Sequence, residues 1–179
     1  TKPPSFIIHN GADQNLYYKL PDPQVAAFRR SQDVVDSFVL LTVGNVSDRK
    51  GQEVVIRALP EIKKNYPDIQ YWMVGLPNEQ VKLTRLAMSL DVSENIKFWG
   101  RVSEEVLLKC YNACDLFVMT SRQLPDGDFE GYGIAVIEAA LCENAAVVSA
   151  NSGLEEAVWD GVTGLIVPQN DPTGTAEAV

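Results

Sequence analysis

The chain has 179 residues, of which 46% are apolar and 22% charged, and its formal net charge is −9 at pH 7. This length suits one domain with its own core, and the composition excludes a disordered or fibrous protein. No apolar run approaches the ~20 residues that cross a bilayer, and one histidine and three cysteines without metal-ligand spacing argue against a zinc or haem site.

The cysteines and the start of the sequence bear on location. The cysteines are odd in number and lie in apolar surroundings, and no secretory signal opens the sequence. Both features suit a reducing compartment, so we expect a cytoplasmic protein.

Charge is unevenly distributed along the chain. Residues 1–109 hold 14 of the 15 Lys and Arg residues, whereas residues 110–179 hold Arg122 alone beside 11 acidic residues. Nucleic acid requires a basic face that neutralises several phosphates, and neither half supplies one, so we expect no nucleic-acid partner. A small phosphate ligand needs only one or two cations and a helix N-terminus, and those cations would come from the first half.

Short apolar runs typical of buried strands recur along the chain, with helical periodicity between them. The predicted strands are residues 38–44, 71–75, 95–100, 116–120, 145–150 and 164–167. The predicted helices are residues 52–65 and 79–90, one capped by Ser103, one from Gly133 and one from Pro172. This alternation predicts βαβ units and a doubly wound, Rossmann-like parallel sheet of the α/β class.

Both ends of the sequence indicate a fragment. A strand expected at residues 6–8 runs into the turn-forming pair Asn10-Gly11, and the helix expected from Pro172 stops before completing two turns. No initiator methionine is present. We therefore expect a piece of a larger protein, with residues 1–20 as a strand or linker between domains.

One candidate ligand loop follows the strand predicted at residues 38–44, because ligands of open α/β sheets bind beyond the carboxyl ends of the strands. Gly44 leaves the strand, and Arg49 and Lys50 stand where the next helix begins. A glycine lets a ligand approach the backbone, and a lysine suits a diphosphate. The Gly-Lys-Ser/Thr order of an ATP-hydrolysing loop is missing. The alternative is a solvated Arg-Lys pair at a helix start.

A second loop leads into an apolar helix and carries two carboxylates. Glu130 precedes the helix and Glu138 lies in its second turn, so the pair could hold the two ends of an extended ligand. An anion between them would face the backbone amides of Tyr132, Gly133 and Ile134. A dinucleotide fingerprint fails, because Val136 replaces its third glycine. The alternatives are a solvated loop carboxylate for Glu130 and a helix acid at the sheet margin for Glu138.

A third loop, residues 149–156, joins small residues to two acids at a helix start. It is either a ligand contact or a plain strand-to-helix connection.

These segments together resemble the carboxyl-terminal, nucleotide-sugar-binding domain of the retaining GT-B glycosyltransferases, specifically glycosyltransferase family 4. The family's Glu-x7-Glu motif is matched by Glu130 and Glu138, and its glycine and Lys-Gly phosphate loop by Gly44 and residues 50–51. Three further segments match in order, namely residues 8–13, 152–156 and 160–168. The resemblance covers nearly the whole chain and makes residues 1–179 one donor-binding domain.

The resemblance implies a role for each matched position. Lys50 would bind the donor diphosphate and Glu130 the hydroxyls of the transferred sugar, and these two would be the catalytic residues. Glu138 would bind the ribose, and the loop at Arg101 and Val102 the base. The other implied substrate-binding positions are Gly44, Asn45, Arg49, Tyr132, Gly133 and Ile134.

Two positions depart from the family pattern, and Ser152, which replaces the first glycine of the segment at residues 152–156, is the less important one. Asn45 stands where the family usually has an arginine, so a cation that stabilises the leaving diphosphate is missing. Arg49 is the candidate to compensate, because a guanidinium can pair bidentately with phosphate.

The activity implied by the resemblance is hexosyl transfer from a UDP- or GDP-sugar to an acceptor, with retention at the anomeric carbon, in glycan or polysaccharide biosynthesis. The protein would stabilise the departing diphosphate without a metal or other cofactor. The residues around Glu130, 128–131, resemble those of enzymes with GDP-mannose-like donors. The amino-terminal acceptor domain is absent from the sequence, so any membrane contact would be made there and the fragment is expected to be inactive alone.

Two other functions remain as alternatives. A GT-B-like epimerase or hydrolase would need further acids and a histidine at the cleft, and His9, at the start of the chain, is the sole histidine. A non-catalytic scaffold domain would show no nucleotide affinity.

Overall fold

The computed structural model describes Phe6, Ile8 and residues 10–179. The strand expected at residues 6–8 and the first part of the linker expected at residues 1–20 fall largely outside this range. None of the helices in the described residues is long and apolar enough to span a membrane.

Six parallel strands form a single sheet, as the apolar runs predicted. The strands are β1 (Val39–Val43), β2 (Gln70–Val74), β3 (Ile96–Gly100), β4 (Leu116–Met119), β5 (Ala146–Ser149) and β6 (Gly164–Val167). Their order across the sheet is β3-β2-β1-β4-β5-β6, and every pair is parallel. The chain direction across the sheet reverses between β1 and β4, and such a switch point opens a crevice at the carboxyl ends of the strands.

The described residues also form six helices and three 3₁₀ turns, which precede, connect and follow the strands. The helices are α1 (Asp22–Ser31), α2 (Gln52–Ile62), α3 (Gln80–Ser89), α4 (Glu104–Ala113), α5 (Ile134–Leu141) and α6 (Pro172–Glu177). The 3₁₀ turns are Asp48–Lys50, Ser93–Asn95 and Gly153–Ala157. Five helices were predicted, and the hydroxyl of Ser103 caps α4 by accepting a hydrogen bond from the backbone N–H of Val106.

Helix α1 was not predicted. None of its residues is buried, and Pro21 precedes it without a side-chain cap. Only Val25 and Phe28 pack against the core, so its apolar stripe is too short to show helical periodicity.

The core consists of two layers, one on each face of the sheet. Leu41 of β1 points into the layer covered by α1, α4 and α5, whereas Leu40 points into the layer covered by α2, α3 and α6. Alternate residues of a strand face opposite sides, so a sheet buried on both faces reads as a continuous apolar run. The doubly wound α/β architecture is confirmed.

The loops after β1 and β2 pack against each other at the carboxyl edge of the sheet. Gly75 has φ +139°, and a Cβ there would lie 2.3 Å from the carbonyl oxygen of Gly44. A side chain at this position would force the two loops apart, so the glycine allows the close approach that shapes the edge.

Candidate functional site

A cleft of about 620 Å³ opens at the carboxyl ends of β1 and β4, at the switch point of the sheet. Val43, Gly44 and Lys50 line one bank, residues 130–135 and Glu138 line the other, and Asn10 stands at its rim. The structure therefore brings the two predicted ligand loops together around one space.

The β1 loop is fixed by glycines and by a contact with the end of β4. Gly44 has φ +143°, and a Cβ there would lie 3.0 Å from Cε of Lys50. The glycine therefore leaves room for the lysine side chain to pass next to the backbone. Gly51 ends the 3₁₀ turn with φ +71°, and its carbonyl accepts a 2.8 Å hydrogen bond from the Thr120 hydroxyl. Lys50 is thus held at the cleft by backbone geometry on both sides.

Glu130 forms ion pairs with both cations of the β1 loop. One of its carboxylate oxygens lies 2.5 Å from Nζ of Lys50 and 2.7 Å from a guanidinium nitrogen of Arg49. Arg49 also lies 3.2 Å from a carboxylate oxygen of Asp128. Burial alone would raise the pKa of Glu130, but the hydrogen bonds and charges of Lys50 and Arg49 outweigh it and hold the pKa below its ordinary value. The carboxylate is therefore ionised at neutral pH.

Arg122, the only basic residue of the acidic half, supports this cluster from the loop after β4. Its backbone N–H donates a 2.8 Å hydrogen bond to the carbonyl of Arg49, and its guanidinium lies 3.0 Å from a carboxylate oxygen of Asp48. Both contacts hold the 3₁₀ turn that carries Arg49 and Lys50.

The loop at residues 149–156 packs against the backbone of the loop that carries Glu130. The N–H of Gly153 donates a 2.9 Å hydrogen bond to the carbonyl of Glu130, and a Cβ on Gly153 would lie 1.8 Å from the carbonyl oxygen of Gly131. A Cβ on Gly133 would in turn lie 2.2 Å from the Leu154 side chain. The structure places this loop in a supporting position that fixes the backbone next to Glu130.

Glu138 lies at the other end of the cleft and is held by neutral donors. The Tyr111 hydroxyl donates a 2.6 Å hydrogen bond to its carboxylate. Burial, followed by the charge of Glu138 and a hydrogen bond to it, raises the pKa of Tyr17 to about 12. The same causes raise the pKa of Tyr111 well above its ordinary value, so both phenols remain protonated donors at neutral pH.

Asn45 is turned away from this cleft. Its side-chain oxygen accepts a 3.2 Å hydrogen bond from the N–H of Leu76, and its carbonyl accepts one from Gln52. It lines a neighbouring cleft of about 440 Å³ together with Arg49 and Lys50, and of these three residues only Lys50 also lines the main cleft. Arg49 is connected to the main cleft through its ion pair with Glu130.

The loop after β3 does not join the main cleft. Among the described residues, the lining of the 620 Å³ space includes neither Arg101 nor Val102. Arg101 is exposed and Val102 packs against the core. Strands β2 and β1 both lie between β3 and the switch point, so the loop after β3 is two strands away from the cleft.

Several residues of the site were not predicted as functional. Tyr111 belongs to the apolar stripe of α4, and Tyr17 lies before the first helix, so neither carries a sequence signal for a ligand site. Asp128 stands in the predicted loop, but its pairing with Arg49 depends on the fold. In the part of the chain that the structure describes, no group of three or more His, Cys, Asp or Glu residues could hold a metal ion.

The chain matches one family model and is similar to several known proteins. The family model described as glycosyl transferases group 1 matches residues 25–179. The chain is 34% identical over 161 residues to a GDP-mannose-dependent alpha-(1-6)-phosphatidylinositol monomannoside mannosyltransferase of Mycolicibacterium smegmatis, covering 89% of this chain and 42% of that protein. It is 29% identical over 184 residues to a D-inositol 3-phosphate glycosyltransferase of Geodermatophilus obscurus, covering 98% and 39%.

Solved structures share the fold. The crystal structure of Anabaena Alr3699/HepE in complex with UDP and glucose superposes with a TM-score of 0.83 at 28% identity, over 95% of this chain and 45% of that one. WaaG, a glycosyltransferase involved in lipopolysaccharide biosynthesis, has a TM-score of 0.80 at 21% identity, covers 94% and 44%, and supports the fold alone. The chain thus spans less than half the length of these relatives.

Proposed function

The chain belongs to the glycosyl transferases group 1 family, and we propose that it is the donor-binding domain of a retaining, family 4 hexosyltransferase. The whole protein would transfer a sugar from a UDP- or GDP-sugar to an acceptor in glycan or polysaccharide biosynthesis. The observation that carries this proposal is that Lys50, Glu130 and Glu138 line one cleft at the switch point. Opposite orientations of the two glutamates, or a remote Lys50, would have contradicted it.

The charges of the cleft suggest the orientation of the donor. Lys50 lies at one end, and Arg49 pairs with the same oxygen of Glu130 from the neighbouring cleft, so two cations are near a diphosphate placed there. Glu138 supplies an uncompensated carboxylate at the other end, which suits the hydroxyls of a ribose. The sugar would lie at Glu130, in the loop between the cations and helix α5.

Binding of a diphosphate would exchange partners at Glu130. Its carboxylate pairs with both Lys50 and Arg49 in the structure. Phosphate oxygens would take over Lys50 and Arg49, and the released carboxylate could accept hydrogen bonds from the hydroxyls of the sugar. Binding of the diphosphate would therefore also release the Glu130 carboxylate to bind the sugar.

The departing diphosphate would be stabilised by fixed charges and dipoles. Lys50 and Arg49 offset its developing negative charge, and the amides of Gly133 and Ile134 at the start of α5 add the positive end of the helix dipole. These groups would do the work that a metal ion does elsewhere, so we propose transfer without a metal or other cofactor.

The nucleotide base would contact the loop at Arg101 and Val102. The carbonyl of Gly100, just before this loop, accepts a 2.9 Å hydrogen bond from the N–H of Gly75, which packs on Gly44 of the cleft. UDP and GDP are both proposed, because the compared mannosyltransferase is named as GDP-mannose-dependent and the HepE structure contains UDP and glucose. The residues around Glu130 favour a GDP-mannose-like donor.

The acceptor would bind to a second domain. The chain covers 42% of the compared mannosyltransferase and 45% of HepE. We propose that an amino-terminal domain supplies the acceptor site and any membrane contact, that transfer requires both domains, and that the whole protein acts in the cytoplasm. A scaffold without nucleotide affinity is the competing function.

Amide NMR of the 179-residue chain tests donor binding. UDP, GDP and their glucose, mannose and N-acetylglucosamine derivatives should shift the resonances of residues 44–51 and 130–138. Glu138→Ala should abolish the response, whereas Glu61→Ala, an exposed acid of α2, should leave it intact. Unchanged spectra at millimolar nucleotide would establish the scaffold function instead.

A further inference from the structure

The hydrogen bond between Tyr111 and Glu138 is built into the core. Tyr111 is fully buried in α4, and its ring lies 5.9 Å from that of Phe117 in β4. Its hydroxyl reaches the Glu138 carboxylate at 2.6 Å. The phenol therefore has a fixed position, and a carboxylate bonded to it is restricted to few rotamers.

A second phenol, that of Tyr17, lies near Glu138 on the segment before α1, close enough for the charge of Glu138 to raise its pKa. The Tyr17 ring packs edge-on against Tyr111, with 5.6 Å between centroids and 89° between planes. Asn112 anchors this segment, because its side chain accepts a 2.7 Å hydrogen bond from the N–H of Leu20 and donates a 3.0 Å bond to the carbonyl of Tyr18. Neighbouring residues of α4 thus hold both the carboxylate and the segment that carries Tyr17.

The two glutamates of the cleft have opposite surroundings. Glu130 is compensated by two cations, whereas Glu138 forms no ion pair with any other residue that the structure describes. Phenols orient a carboxylate without neutralising it. A carboxylate has about four acceptor sites, so the bond from Tyr111 leaves at least two of them for further O–H donors. A vicinal diol supplies two.

We propose that Tyr111 and Tyr17 are positioning residues that fix Glu138 for the vicinal diol of a ribose. This inference rests on the proposed function, in which the ligand is a nucleoside diphosphate. The phenols hold the carboxylate in the orientation that accepts both ribose hydroxyls, and the rest of the ligand does not depend on them.

The test compares ligands that differ only in the diol. Calorimetric titration with UDP and 2′,3′-dideoxy-UDP, and with the two corresponding guanosine nucleotides, is carried out on the wild-type chain, Tyr111→Phe and Tyr17→Phe. Tyr66→Phe is the matched control, because this phenol ring stacks on Phe38, outside the cleft. Amide spectra verify the fold of each variant, and Tyr17→Phe, at a half-buried site, keeps the test valid if Tyr111→Phe does not fold.

The expected result is a selective loss. Tyr111→Phe and Tyr17→Phe should each bind the ribonucleotide about fivefold more weakly and the dideoxynucleotide less than about twofold more weakly. Equal losses for both ligands, or none, would overturn the positioning role. A wild-type chain that binds nucleotide without preferring the ribose form would overturn the proposed role of Glu138 as well, which separates the two failures.

Discussion

Lys50 and Glu130, 80 residues apart in the chain, form a 2.5 Å ion pair that joins the β1 loop to the loop before α5. Both side chains are largely shielded from solvent, with 14% and 12% of their surface exposed. Arg49 shares the same carboxylate oxygen. The pair closes the cleft at the end where we place the diphosphate, so a ligand there must compete with Glu130 for both cations.

Neutralising Glu130 should strengthen nucleotide binding. Glu130→Gln keeps the shape of the side chain but removes the charge that competes for Lys50 and Arg49. We expect the affinity for UDP or GDP to rise about three- to tenfold, more at low than at high salt, in calorimetric titration. Glu53→Gln is the control, because Glu53 pairs with Arg57 and Lys82 away from the cleft. A weaker affinity would show that Glu130 aligns the cations for the ligand instead of competing with it.

Removing either cation should weaken nucleotide binding. Lys50→Met should cost about 1.5–3 kcal/mol of binding free energy, which is the usual value for a hydrogen bond to a charged group. Arg49→Met should cost less, because its side chain is 25% exposed. Arg57→Met, which breaks only a helix-surface pair, should have no effect. If Arg49→Met also binds normally, Arg49 does not replace the cation missing at Asn45.

A methyl group at Gly153 should displace the backbone next to Glu130 and so weaken both folding and nucleotide binding. The Cβ of Gly153→Ala would lie 1.8 Å from the carbonyl oxygen of Gly131, so the backbone beside Glu130 must move. We expect a loss of about 1–3 kcal/mol in the free energy of unfolding, measured with urea, together with weaker nucleotide binding. Gly11→Ala is the control, since no atom lies within 4 Å of its Cβ. Unchanged stability and binding would show that the loop at Gly153 can move away from Gly131 without cost to the site.

Burial and the neighbouring Glu138 raise the pKa of the Tyr17 phenol from 10.0 to about 12. A raised pKa means that the folded chain binds the proton more tightly than the unfolded chain. The stability that this provides is complete below pH 10 and is lost as the pH rises toward 12.

Ring-carbon NMR of labelled tyrosine measures this titration directly. Glu138→Gln should lower the pKa of Tyr17 part of the way toward 10, because burial remains, whereas Glu61→Gln should not change it. An unchanged pKa in Glu138→Gln would show that burial alone is the cause.

The sheet could be predicted from the sequence because each strand is buried on both faces. Leu40 and Leu41 enter different core layers, so the strand reads as a continuous apolar run. Helix α1 left no such signal, because only one side of it touches the core through Val25 and Phe28. Local patterns therefore predicted the elements with buried faces and missed the helix that covers the surface.

The two ligand loops were predicted, but the contacts between them were not. Glycines and charges mark Gly44, Lys50 and Glu130 within short windows, whereas the pairing of Arg49 with Glu130 depends on which strands become neighbours. The direction of the Asn45 side chain depends on the N–H of Leu76, and the role of Tyr111 on the packing of α4 against α5. Contacts made across the sheet have no local sequence pattern.

The pairing of β1 with β4, in which Leu40 lies opposite Leu116, also has a kinetic consequence. Its formation closes a loop of roughly 75 residues, and contacts so distant in sequence slow folding. The two banks of the cleft meet only after this closure, so a newly made chain cannot hold a nucleotide until its sheet is nearly assembled. A ligand that touches both banks would then bind the native state alone and raise the melting temperature of the chain in proportion to the logarithm of ligand concentration.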